Sequence, residues 1–86
     1  MPTQRITLDP EPPAQGKDVE ICYDFAGSGL ASTTLSVSFD GGEPDDLAVT
    51  PEDPCVVVGV PDNATRIVVA DASGVSPNKT SAITPT

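Results

Sequence analysis

The sequence has no histidine and no tryptophan, and its aromatic side chains are Tyr23, Phe25 and Phe39 alone. Without histidine, the commonest general base, proton shuttle and metal ligand is missing. Basic residues are as scarce: four Lys and Arg stand scattered against 13 Asp and Glu, a net charge of −9. Nucleic acid is therefore excluded as a partner, since phosphate contacts need clustered cations. No apolar run approaches the roughly 18–20 residues of a membrane-spanning helix, and the first residues lack the apolar core of a signal peptide. Helices are disfavoured too. Ten prolines interrupt the chain, and no window of about eleven residues carries an apolar period near 3.6.

What remains is a chain of 86 residues, enough for one domain over 1–86 with a small core. Its Val, Ile and Leu residues cluster in short runs separated by Pro, Gly, Asp and Ser, the layout of strands and turns rather than of a solvated coil. Alternation of period two supports this. Ile6 and Leu8 share a face before Asp9-Pro10-Glu11-Pro12-Pro13 ends any ladder. Over Lys17 to Phe25, Val19, Ile21 and Tyr23 point one way and Glu20, Cys22 and Asp24 the other. Over Thr33 to Phe39, Leu35, Val37 and Phe39 point inward while Thr34, Ser36 and Ser38 point outward. Asp40-Gly41-Gly42 marks a turn, and Leu47 and Val49 a short strand closed by Pro51. The nearly all-apolar run Cys55 to Val60, bounded by Pro54 and Pro61, reads as a strand covered on both faces. Ile67 and Val69 form the next inward pair, Asp71-Ala72-Ser73-Gly74 the next turn, and Ser81 to Thr84 a last strand through Ile83. About seven short strands at this spacing predict an all-β, antiparallel two-sheet sandwich.

The order of these elements resembles the bacterial immunoglobulin-like and fibronectin type III-like modules. The features that carry the resemblance are a Pro-rich entry, Gly16 before the Val19-Ile21-Tyr23 strand, and Leu35-Val37-Phe39 followed by Asp-Gly. A Val-Pro step then leads into Ile67-Val69-Ala70-Asp71 and Gly74. The resemblance implies a single immunoglobulin-like sandwich used as a spacer, display or adhesion unit, with no catalytic residues to carry over. It also bears on the two cysteines, Cys22 and Cys55. In the immunoglobulin-like order the second and fifth strands are neighbours in one sheet, and pleat parity puts both sulfurs on its outer face, close enough to bridge. The alternative is a pair of free thiols, as a reducing compartment would keep them. Two cysteines without histidine do not make a zinc site, and the C-x-x-C spacing of a redox pair is absent.

Six acids, Asp40, Glu43, Asp45, Asp46, Glu52 and Asp53, crowd a stretch without a basic residue. Asp40, Glu43, Asp45 and Asp46 are candidate ligands for calcium, a hard cation that takes carboxylate oxygens from flexible loops, although the EF-hand spacing is absent. Other readings are a solvated turn whose charge discourages edge-to-edge pairing, or an acidic patch for a basic partner. No serine or threonine has a histidine to activate it, and Lys17 and Lys79 sit in turns without a marked partner, so the expectation is a protein that is not an enzyme. Phe25, beside a Gly/Ser loop, is the sole aromatic left for a sugar. Asn63-Ala64-Thr65 and Asn78-Lys79-Thr80 match the N-glycosylation pattern. The expected role is a non-enzymatic structural or interaction module working with protein partners in a larger assembly. It is either a virion-surface accessory protein or a spacer in an extracellular, cell-surface chain; the alternative is a calcium- or carbohydrate-binding accessory module.

Overall fold

The computed structural model describes residues 3–86, which form seven β-strands in two antiparallel sheets, with no helix among them. The strands are β1 (Ile6–Asp9), β2 (Asp18–Tyr23), β3 (Thr33–Phe39), β4 (Asp45–Val49), β5 (Cys55–Gly59), β6 (Arg66–Asp71) and β7 (Lys79–Ala82). One sheet has the order β1-β2-β5 and the other β4-β3-β6-β7. This is the all-β two-sheet sandwich expected from the strand pattern, and β2 and β5 are neighbours within one sheet.

Alternation places the core between the sheets. Ile6, Leu8, Val19, Ile21 and Tyr23 from the first sheet meet Leu35, Val37, Val49, Ile67 and Val69 from the second. Val60, Ala64 and Ile83 close one end. Because large aromatics are so few, the biggest side chains with no exposed surface are Ile and Leu. Such a core stabilises mainly by tight packing of branched chains.

Three local expectations are corrected. β5 is not covered on both faces: Val57 is 63% exposed. The run is apolar, but the second sheet packs on only one face of β1-β2-β5, so the outer face of β5, like that of β2 at Glu20, meets solvent. The last strand is Lys79–Ala82 rather than Ser81 to Thr84. Ile83 lies beyond it, buried, its amide donating to Thr65 O. Phe39, at the end of β3, is half-buried rather than enclosed like Leu35 and Val37.

The connections sort the molecule into two ends. At one end lie Arg5 ahead of β1, the β2–β3 loop, the β4–β5 turn and the β6–β7 loop. Arg5 donates to the carbonyls of Asp24 and Ala26 there. At the other end lie the β1–β2, β3–β4 and β5–β6 connections. Thr84 pairs with Ala14 and donates to Pro13 O, and Thr86 Oγ1 donates to Gln15 O. Gly16, at this end, has φ +72°, a left-handed backbone that glycine adopts without strain, and a Cβ there would also displace the Asp62 carboxylate, 2.8 Å away.

Candidate functional site

The two cysteines are directly opposite in the β2–β5 ladder. Their partners one step on, Tyr23 and Pro54, share a backbone bond from Tyr23 N to Pro54 O. Cys22 and Cys55 therefore occupy a non-hydrogen-bonded pair, the closer of the two antiparallel spacings, with Cα atoms 4.0 Å apart. The structure joins their sulfurs as a disulfide on the outer face of the three-stranded sheet. Glu20 is the carboxylate that comes within 4.8 Å of both sulfurs, but bridged sulfurs offer no thiolate to a metal.

The four candidate calcium ligands are dispersed. Asp40 stands in the β3–β4 turn at φ 55°. Its carboxylate accepts bonds from Thr65 Oγ1 (2.6 Å), Thr65 N and Arg66 N. The Thr65 side chain, then its amide, holds the Asp40 carboxyl below its ordinary range. Asp46, on β4, accepts from Ser36 Oγ at 2.7 Å, and its neighbour Asp45 points to the opposite side of the same strand. Glu43 is exposed in the turn. No three of these carboxylates converge within 4.8 Å among the described residues. The structure does not bring Asp40, Glu43, Asp45 and Asp46 together: strand pleating separates two of them, and the start of β6 engages a third. Titration calorimetry with calcium is expected to give no saturable heat up to millimolar concentration; a saturable heat lost in Asp45→Asn would restore the site.

Phe25 does not present a free ring. It is half-buried and tilted 58° against Tyr23, with ring centroids 4.8 Å apart. With Leu30, Pro51, Pro54 and Asp24 it lines an open cleft of about 450 Å³ at the end where β1 begins.

A residue that composition did not single out organises this end. Asp71, read as a turn residue, closes β6 and is 8% exposed. Its carboxylate accepts the hydroxyls of Tyr23 (2.5 Å), Thr33 (2.6 Å) and Ser73 (2.7 Å), and the amides of Ser73 and Ser76. Burial alone would push its pKa up, but the bonds from Thr33, Tyr23 and Ser73 outweigh it and hold the carboxyl far below the ordinary range. Burial, then the bond to Asp71, pushes the Tyr23 phenol up. The one sequence signal was a lone acid at the end of an inward-facing alternation, Ile67-Val69-Asp71. Asp71 ties β2, β3 and the β6–β7 loop together, and no buried side-chain polar atom among the described residues lacks a partner.

The outer faces differ in charge. On the three-stranded sheet, Asp9, Asp18 and Glu20 face outward, and Lys17, just ahead of β2, is the basic residue next to Asp18. On the four-stranded sheet the outward residues are mostly small: Thr34, Ser36 and Ser38 on β3, Ala48 on β4, Val68 and Ala70 on β6, Thr80 and Ala82 on β7. Asp46 and Arg66 are its charges. Compared with known proteins, the chain matches no family model, no curated protein and no solved structure, so the resemblance in strand order brings no family assignment with it.

Proposed function

We propose that this chain is a non-enzymatic structural module, a spacer within a surface or secreted protein. The observation that carries the reading is the placement of its two ends. The segment before β1 is anchored at one end of the sandwich, where Arg5 N donates to Ser76 Oγ and Gln4 Nε2 to Asn78 O. Thr84 to Thr86 are anchored at the other end, on Pro13 and Gln15. The body between them measures 39 Å along its longest axis. Neighbours fused at both ends would be held apart by the length of the sandwich. Tension would load β1 against β2 and β7 against β6 along their length, so that several ladder bonds resist together. The disulfide would keep the 33-residue span between Cys22 and Cys55 from extending.

Single-molecule stretching between handles at the two ends tests this. One cooperative rupture is expected, and the oxidised protein should release about 110 Å less chain than the reduced one, 33 residues at roughly 3.3–3.6 Å each. Gradual yielding at low force in both redox states would remove the spacer reading. A second reading, a decoration protein docking on a particle, draws on the small-residue outer face of the four-stranded sheet.

A further inference from the structure

The ladder bonds of β5 leave one side of that strand unpaired. Val60 N donates to Lys17 O and Tyr23 N to Pro54 O, which fixes the bonded positions of the β2–β5 register at Val56, Val58 and Val60. The amides and carbonyls of Cys55, Val57 and Gly59 therefore point away from β2, toward the free edge. Edge strands usually blunt such a row with charge, bulges or proline. Here proline stands at both ends, Pro54 and Pro61, and the residues between them are Cys55, Val56, Val57, Val58, Gly59 and Val60. Val57 at the centre is the exposed large hydrophobic side chain of the molecule among the described residues.

The outer face beside this edge is acidic. Glu20 lies directly opposite Val57, and Asp18 opposite Gly59. Gly59 has no side chain to cover Asp18: a Cβ placed there would stand 3.8 Å from Asp18 Oδ1. Asp53 and Asp62 follow the same sign just outside the two prolines. We propose that the free edge of β5 docks an extended, basic segment of a partner protein. The segment becomes a fourth strand of the β1-β2-β5 sheet, with an apolar residue opposite Val57 and a lysine or arginine opposite Gly59.

Main-chain bonds to Cys55, Val57 and Gly59 supply the attachment, and the side chains supply the choice of partner. Strands lie roughly 4.8 Å apart, so a basic side chain opposite Gly59 crosses the bare glycine to reach Asp18 on the next strand. The required pattern is a cation two residues from an apolar side chain, in a stretch of about five residues set by the two prolines. A second copy of this chain is a poor occupant, because each carries a net charge of −9 and the edges would repel. This docking does not depend on whether the chain bears load.

The test uses the oxidised full chain and the blocked heptapeptide Thr-Arg-Thr-Val-Thr-Arg-Thr, which offers arginine opposite Gly59 in either strand direction. Titration followed by amide NMR is expected to give saturable shifts over Cys55 to Gly59 and slowed hydrogen exchange at the Cys55, Val57 and Gly59 amides. Asp18→Asn, a change on an exposed side chain, is expected to weaken binding about twofold to fivefold, and the peptide with glutamate for arginine should not bind. Replacing the central valine of the peptide by proline keeps the charge and blocks pairing, and should abolish the protection. Equal binding of the proline peptide would reduce the effect to charge attraction and overturn the proposal. So would shifts confined to other surfaces, no saturable change at all, or concentration-dependent protection of the Val57 amide in the protein alone.

Discussion

Asp71→Ala is expected to cost about 3–5 kcal/mol, a large share of the stability of a domain this size. The change leaves the Tyr23 and Thr33 hydroxyls and the Ser76 amide pointing into space vacated by their shared acceptor, and each unsatisfied buried donor costs roughly 1–3 kcal/mol. Tyr23→Phe removes one donor and keeps the carboxylate, and should cost about 1–2 kcal/mol. Urea unfolding of the two variants gives the comparison. Equal, small losses in both would mean that Asp71 is an ordinary strand-end acid.

The same site sets an acid limit. Unfolded, Asp71 takes up its proton near pH 3.9; folded, it does so only at lower pH. Between those values the unfolded state binds more protons, so stability rises with pH there. The contribution is complete above about pH 5 and is lost as pH falls through 4 toward the folded value. In Asp71→Asn the fall in unfolding free energy over this range should be visibly shallower than in the parent protein. A parallel pair of curves would place the acid sensitivity elsewhere.

Reduction of the Cys22–Cys55 bond is the second large effect. The bridge spans 33 residues, and closing such a loop in the unfolded chain is worth roughly 3–4 kcal/mol. For a domain of this length that corresponds to a fall in melting temperature of roughly 15 °C or more. The fold should survive near room temperature, because the bond lies on the outer face of the sheet and the core between the sheets keeps its contacts. Calorimetry with and without reductant, with a thiol count on the native protein, decides it. Two reactive thiols in the untreated protein and an unchanged transition would mean that the bridge is not formed.

Strands were legible where alternation was strict. Val19-Ile21-Tyr23 and Ile67-Val69 read correctly because every second residue must face the core, and a shift of one would expose the whole set. β5 was misread because an all-apolar run has no parity to break. Whether Val57 is covered depends on what packs over its face, and the second sheet covers only the opposite face of β5. Ile83 looked like a strand residue because it is apolar and buried, yet burial is also achieved just past a strand end.

The acids divide in the same way. Crowding along the chain suggested that Asp40, Glu43, Asp45 and Asp46 act together. Pleating sends Asp45 and Asp46 to opposite sides, and Asp40 turns to the β6 start. Asp71 carried no sequence mark beyond its place in the alternation, because its five donors come from Tyr23, Thr33, Ser73 and Ser76, gathered from three parts of the chain.

By itself, then, the sequence determined the all-β class, the number of strands and most inward faces, since period-two burial and proline and glycine turns are local properties that need no knowledge of neighbours. The tertiary structure alone decided which edge is free, that Asp71 is a buried acceptor, that the cysteines are bridged rather than free, and that the two ends of the described chain leave at opposite poles. Each of these depends on which distant strands lie side by side, and that follows from packing two sheets around one shared core.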